Sequence, residues 1–152
     1  MGIARGLAGC LAGASLLFAV PVQAAGWSKA EKLRRLDIML MVTGLRCRTT
    51  ADNFQADYGN FTTKHIVELN AASTALKRDL ALHHGAAGAS RELDRLSVQM
   101  ANEYGQGHPW LNCGQLRQVT RNLAASRGSE ALEAAADQLL TEEGNPQLAL
   151  AR

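Results

Sequence analysis

Glutamate, tyrosine, histidine and tryptophan crowd into residues 100–113 (MANEYGQGHPWLNC), and no other segment gathers so many side chains suited to chemistry. Glu103 and His108 are the residue types of a general acid–base pair, and together they suggest a small hydrolase acting on a cell-envelope substrate. Such a mechanism needs the pair at fixed geometry, with a nucleophile or an activated water between them, and the spacing of Glu103 does not single it out. A structural reading of the same residues is preferred. His108-Pro109 makes a turn, and Trp110 packs beneath it as a shield for a cysteine bridge. Tyr104, Gln106, His108 and Trp110 then become a candidate binding loop, since aromatic side chains on a fixed loop are typical contact residues.

Other chemistries lack their residues. Gly105-Gln106-Gly107 imitates the start of a dinucleotide loop, yet no strand precedes it and Trp110 stands where the third glycine belongs. No Walker sequence, nucleophile elbow or zinc-protease histidine pair occurs, so no cofactor is expected. His83 and His84 are adjacent and point to different helix faces. His65 falls in an apolar helical stripe and is expected to be a hydrogen-bonded core residue. No metal site is therefore expected. Phe54, Tyr58 and Phe61 could line an aromatic groove, but as ordinary core they need no further role. Asn60-Phe61-Thr62 matches a glycosylation sequon, which is set aside because the leader has a bacterial look.

That leader is residues 1–24. Arg5 is followed by an uncharged run rich in Leu, Ala and Gly, then Pro21 and the small-residue ending Val22-Gln23-Ala24, which reads as a secretory signal peptide cut after Ala24. Leu7-Ala8-Gly9-Cys10 spells a lipoprotein box but comes before the apolar run that should precede it, so Cys10 is expected to leave with the signal. No stable membrane insertion is expected after cleavage. Sixteen Lys and Arg face fourteen Asp and Glu, and loss of Arg5 leaves a nearly neutral chain. That balance argues against a nucleic-acid partner. Cys47 and Cys113 remain, and in an oxidising compartment their default is a disulfide; neither has the short-spaced Cys or His of a zinc site. The expected location is periplasmic or secreted.

The elements that must position the loop are all helical, and the spacing predicts a small bundle of four or five helices with one disulfide, over residues 25–143. Ser28-Lys29-Ala30-Glu31 is a capping box. Leu33, Leu36, Leu40 and Met41 follow as a stripe widened by Ile38, Met39 and Val42, so this first helix is expected at the centre of the bundle. Cys47 lies at its end. Thr49, Thr50 and Asp52 restart the chain, and Phe54, Tyr58, Phe61, His65, Leu69, Ala72, Leu76 and Leu80 recur at helical steps, with a weak point at Gly59-Asn60 that leaves one helix or two open. His83-His84-Gly85 predicts a stop, residues 86–89 a flexible loop, and Ser90 the cap of the next helix, with Leu93, Leu96, Met100 and Tyr104 on one face. Pro109 or Asn112 starts another, with Cys113, Leu116, Val119 and Leu123 as its stripe. Ser129 caps the last, which carries Leu132, Ala136, Leu139 and Leu140. Gly144-Asn145-Pro146 ends it, and residues 144–152 are expected to be a flexible tail. The basic first helix and acidic last helix are expected to face each other or water.

The runs LRRLDIMLMVTGLRCR (33–48), ADNFQADY (51–58) and MANEYGQGHPWLNC (100–113) resemble a family of small exported helical proteins of alphaproteobacteria that has no established function. The resemblance covers most of the mature chain and supplies no catalytic residues. Some similar sequences carry an adenosylhomocysteine hydrolase label. That chemistry needs a dinucleotide-binding α/β domain, for which this chain has neither strands nor length. The expected function is a non-enzymatic interaction module whose partner is a protein or envelope component. The alternatives are the envelope hydrolase and a periplasmic stress chaperone, similar to the small single-disulfide helical chaperones that acid activates.

Overall fold

The computed structural model describes residues 26–140, and every regular element among them is a helix. The expected signal peptide, Cys10, the expected stop at Gly144-Asn145-Pro146 and the expected tail at 144–152 lie outside the described residues. Helix α1 (Lys29–Cys47) opens on Ser28, whose hydroxyl accepts the Glu31 amide at 3.2 Å. The expected reciprocal half of the capping box is replaced. Glu31 turns instead to Arg35, whose Nε donates to its carboxylate at 3.1 Å.

Leu33, Leu36, Ile38, Met39 and Leu40 are buried around nearly the whole circumference of α1, and α2, α3, α4 and α5 all pack on it. Each such side chain fully buried is worth about 1.5–3 kcal/mol, which makes α1 the central strut. Met41, expected in the stripe, is 38% exposed because the helix turns that face away from its neighbours. Gly44 has a packing reason: a Cβ there would stand 3.3 Å from Phe54 Cε2, so the fully buried Phe54 ring needs the missing side chain. Thr43 and Thr120 are buried, and each donates its hydroxyl to its own helix at 2.7 Å, to Met39 and Leu116 respectively, so neither hydroxyl is left without a partner.

Helix α2 (Gln55–Lys64) begins later than Thr49, Thr50 and Asp52 suggest, with Asn53 Oδ1 accepting the Gln55 amide at 3.0 Å. The chain is two helices here. Their break falls at His65 (φ −108°, ψ 22°), not at Gly59-Asn60, which is helical. His65 is drawn inward, and that anchoring decides the site: its Nε2 donates to Leu123 O at 2.8 Å, joining the junction to α4. Tertiary packing thus outweighs the roughly 1 kcal/mol that a helical glycine costs.

Helix α3 (Ile66–Glu103) runs through a bend at Gly85 (φ 68°, ψ 165°). The expected left-handed stop is there, but the loop at 86–89 is not, and Ser90 lies within the helix rather than at its cap. One glycine supplies the whole change of direction, and alanine-rich sequence resumes the helix at once. Helix α4 (Cys113–Ala125) starts at Asn112 through a complete capping box with Gln115, both hydrogen bonds being 2.9 Å. Helix α5 (Ser129–Leu140) begins at Ser129 itself and buries Leu132, Ala136, Leu139 and Leu140, the four expected positions.

Cys47 and Cys113 form the disulfide, with Cα atoms 5.8 Å apart, tying the end of α1 to the start of α4. At the other end of α1, the basic and acidic faces meet as expected. Lys29 pairs with Glu133 at 2.9 Å and Lys32 with Asp137 at 2.6 Å.

Candidate functional site

The segment between α3 and α4 carries the residues that sequence singles out. His108 is buried, and both ring nitrogens are engaged. The Leu139 carbonyl 2.9 Å from Nε2 can only accept, so Nε2 carries the hydrogen; the Trp110 amide can only donate, so Nδ1 receives it, at 3.4 Å. The ring is therefore held as one neutral tautomer. Burial pushes its pKa down from 6.5, opposed by the bond to the Leu139 carbonyl. It packs against Tyr104, with ring centroids 5.9 Å apart, and meets Trp110 edge-on at 4.6 Å.

A general base needs a free lone pair, and a general acid a proton not already given away. His108 offers neither, and Glu103 is committed elsewhere. Its carboxylate takes Arg35 Nη1 at 2.9 Å, and Arg35, itself buried, also pairs with Glu31 and stacks on Trp27 with the guanidinium carbon 4.0 Å from the ring. Glu103 thus fixes the end of α3 to α1. Within the candidate binding loop, Tyr104 and His108 are buried, Trp110 is half-buried and Gln106 is exposed. Burial, with the nearby Glu103 charge second, pushes the Tyr104 phenol up to about 12. The loop is built as a clasp between α3 and the end of α5.

Sequence reasoning passed over a polar cluster on α1. Asp37 is the acidic residue inside the apolar half of that helix, and this was the signal available. Tyr58 Oη donates to Asp37 Oδ1 at 2.8 Å, Arg34 Nη1 lies 3.5 Å from Oδ2, and Arg34 Nη2 donates to Ser97 Oγ at 3.2 Å. Burial raises the Asp37 carboxyl, while the Tyr58 hydroxyl and Arg34 pull it back. Tyr58 is raised by burial and by the Asp37 charge. With every member engaged, the cluster knits α1 to α2 and α3. Phe54 and Phe61 beside it are fully buried core, so they form no aromatic groove. Among the described residues, no group of three or more His, Cys, Asp or Glu could hold a metal ion. His83 and His84 are exposed at the bend.

A groove of about 390 Å³ lies where the start of α1 packs against α3. Ala30 and Leu33 form one wall, Val67, Ala71 and Ala75 the other, and Ser129 closes one side. Lys29 and Glu68 stand at its edges. Val67 is 74% exposed and its neighbour Ile66 is 50% exposed, an apolar pair left in water beside an apolar hollow. The sequence signal was that both fall off the Leu69, Ala72, Leu76 stripe. No helix among the described residues is long and apolar enough to cross a membrane. Compared with protein-family models, curated proteins and solved structures, the chain matches none of them.

Proposed function

We propose that this protein is an exported, disulfide-tied helical interaction module that binds through the groove between α1 and α3. The groove carries the reading: it sets apolar walls beside exposed Val67 and Ile66, with one charge of each sign at its edges. Export is supported by the leader-like residues 1–24 and by the disulfide. The resemblance to small exported alphaproteobacterial proteins agrees with this location. The binding surface moves from the Tyr104 to Trp110 loop to the groove because Tyr104 and His108 face inward. The envelope-hydrolase reading is disfavoured, since Glu103 and His108 are each engaged in structural bonds.

The test is a pull-down from periplasmic extract with wild type, Val67→Asp and Gln106→Ala proteins. A partner retained by Gln106→Ala and weakened at least about tenfold by Val67→Asp supports the groove. Equal retention by all three rules it out.

An acid-released chaperone is the second reading, favoured by one observation: His108 is buried as the neutral tautomer whose Nδ1 accepts the Trp110 amide. Protonating Nδ1 removes the acceptor that the Trp110 amide uses. Client capture that rises on acidification supports this reading, and capture indifferent to pH sinks it.

A further inference from the structure

We propose that the occupant of the groove is a second copy of this chain, in a two-fold contact where Val67 of each copy enters the groove of the other. This rests on the groove being the binding surface. A two-fold contact requires one patch to be both knob and hole, since each copy presents the same residues. The patch meets that requirement. Val67 stands on the rim, 74% exposed, beside a hollow of about 390 Å³ whose other walls are largely alanine and leucine.

The charges favour the same occupant. Lys29 belongs to the α1 wall and Glu68 to the α3 wall, so the rim carries opposite signs on opposite sides. A rotated copy presents Glu68 to Lys29 and Lys29 to Glu68, whereas a wholly apolar ligand adds no partner for either charge and a ligand of single charge adds one for only one of them. Lys29 now pairs with Glu133 through a lysine side chain that is 81% exposed, and Glu68 lies 3.9 Å from His65 Nδ1, so a copy's charges add to these contacts at the open side of the rim. The charges set register, and burial of Val67 and Ile66 supplies the affinity.

The experiment is sedimentation equilibrium on the protein produced from the full chain, with circular dichroism confirming that each variant is folded. Wild type is expected to dimerise reversibly, and Val67→Asp to weaken dimerisation at least about tenfold. Lys29→Glu and Glu68→Lys should each weaken it. Mixed in equal amounts, those two should associate about tenfold more tightly than either alone, because only the mixed dimer pairs every rim charge with its opposite. That last result separates a contact between copies from one within a chain. A wild type that stays monomeric, a dimer indifferent to Val67→Asp, or a mixture no tighter than its components would overturn the proposal. A photo-cross-linker at Val67 that joins only the same chain's residues 141–152 would overturn it as well, by assigning the groove to the tail. A monomer whose Val67→Asp variant still loses a periplasmic partner would reject self-association and leave the groove reading intact.

Discussion

Asp37 and His108 respond to acid in opposite directions. Burial holds His108 below its ordinary value, so the unfolded chain takes up protons first; the stability this residue contributes is complete above 6.5 and is lost as pH falls through the folded value. Asp37 is held above 3.8, so the folded state takes up its proton first, and its contribution is complete at low pH and lost as pH rises through the folded value. Between about pH 7 and pH 5 the histidine should dominate. His108→Gln, which keeps a donor for Leu139 and cannot ionise, should therefore lose less stability than wild type over that interval, as read from urea midpoints. Tyr58→Phe removes the donor to Asp37 and should cost about 1–2 kcal/mol while pushing the Asp37 carboxyl higher still, measurable by denaturation and by NMR titration. Sequence marked His108 as the residue to watch and could not tell a base from a wedge, because its second hydrogen-bond partner, the Leu139 carbonyl, comes from a helix 31 residues away.

The helices differ in how far local sequence determines their ends. Asn112 and Ser28 announce their helices because a cap is a contact within one turn: Asn112, not Pro109, starts α4 through the full box, and Ser28 caps α1 without the expected reciprocal Glu31 bond. The break at His65 is set by Leu123 on another helix, so no local signal reveals it. Gly85 is an intermediate case: its positive φ was legible, while the immediate restart of α3 depends on Ala89 being buried after the bend. Two glycines should therefore behave oppositely. Gly85→Ala, with open space around the position but backbone angles that L-residues rarely adopt, should cost about 1–3 kcal/mol. Gly59→Ala, in open space within α2, should stabilise by about 0.5–1 kcal/mol. Paired thermal melts of the two variants check both, and equal shifts would refute the assignment of strain to Gly85 alone.

In the whole molecule, α1 was legible as the centre because its apolar residues surround it, and a helix buried on every side has nowhere else to go. The groove was not legible, since it depends on how α1, α3 and the start of α5 stack and not on any one stretch. The disulfide closes a loop with a sequence separation of 66, which in the chain-entropy model contributes about 4 kcal/mol. Cys47→Ser with Cys113→Ser should lower stability by roughly that amount without changing the helical signal of the native state, as followed by circular dichroism in urea. Gly85 lies inside the covalent loop, and residues 82–87 are all exposed. A protease cutting at this bend would leave two fragments held by one sulfur bridge, so the nicked chain would migrate as a single species until a reductant is added. Reducing and non-reducing gels of a brief digest would thus report the bend and the bridge together, from one sample.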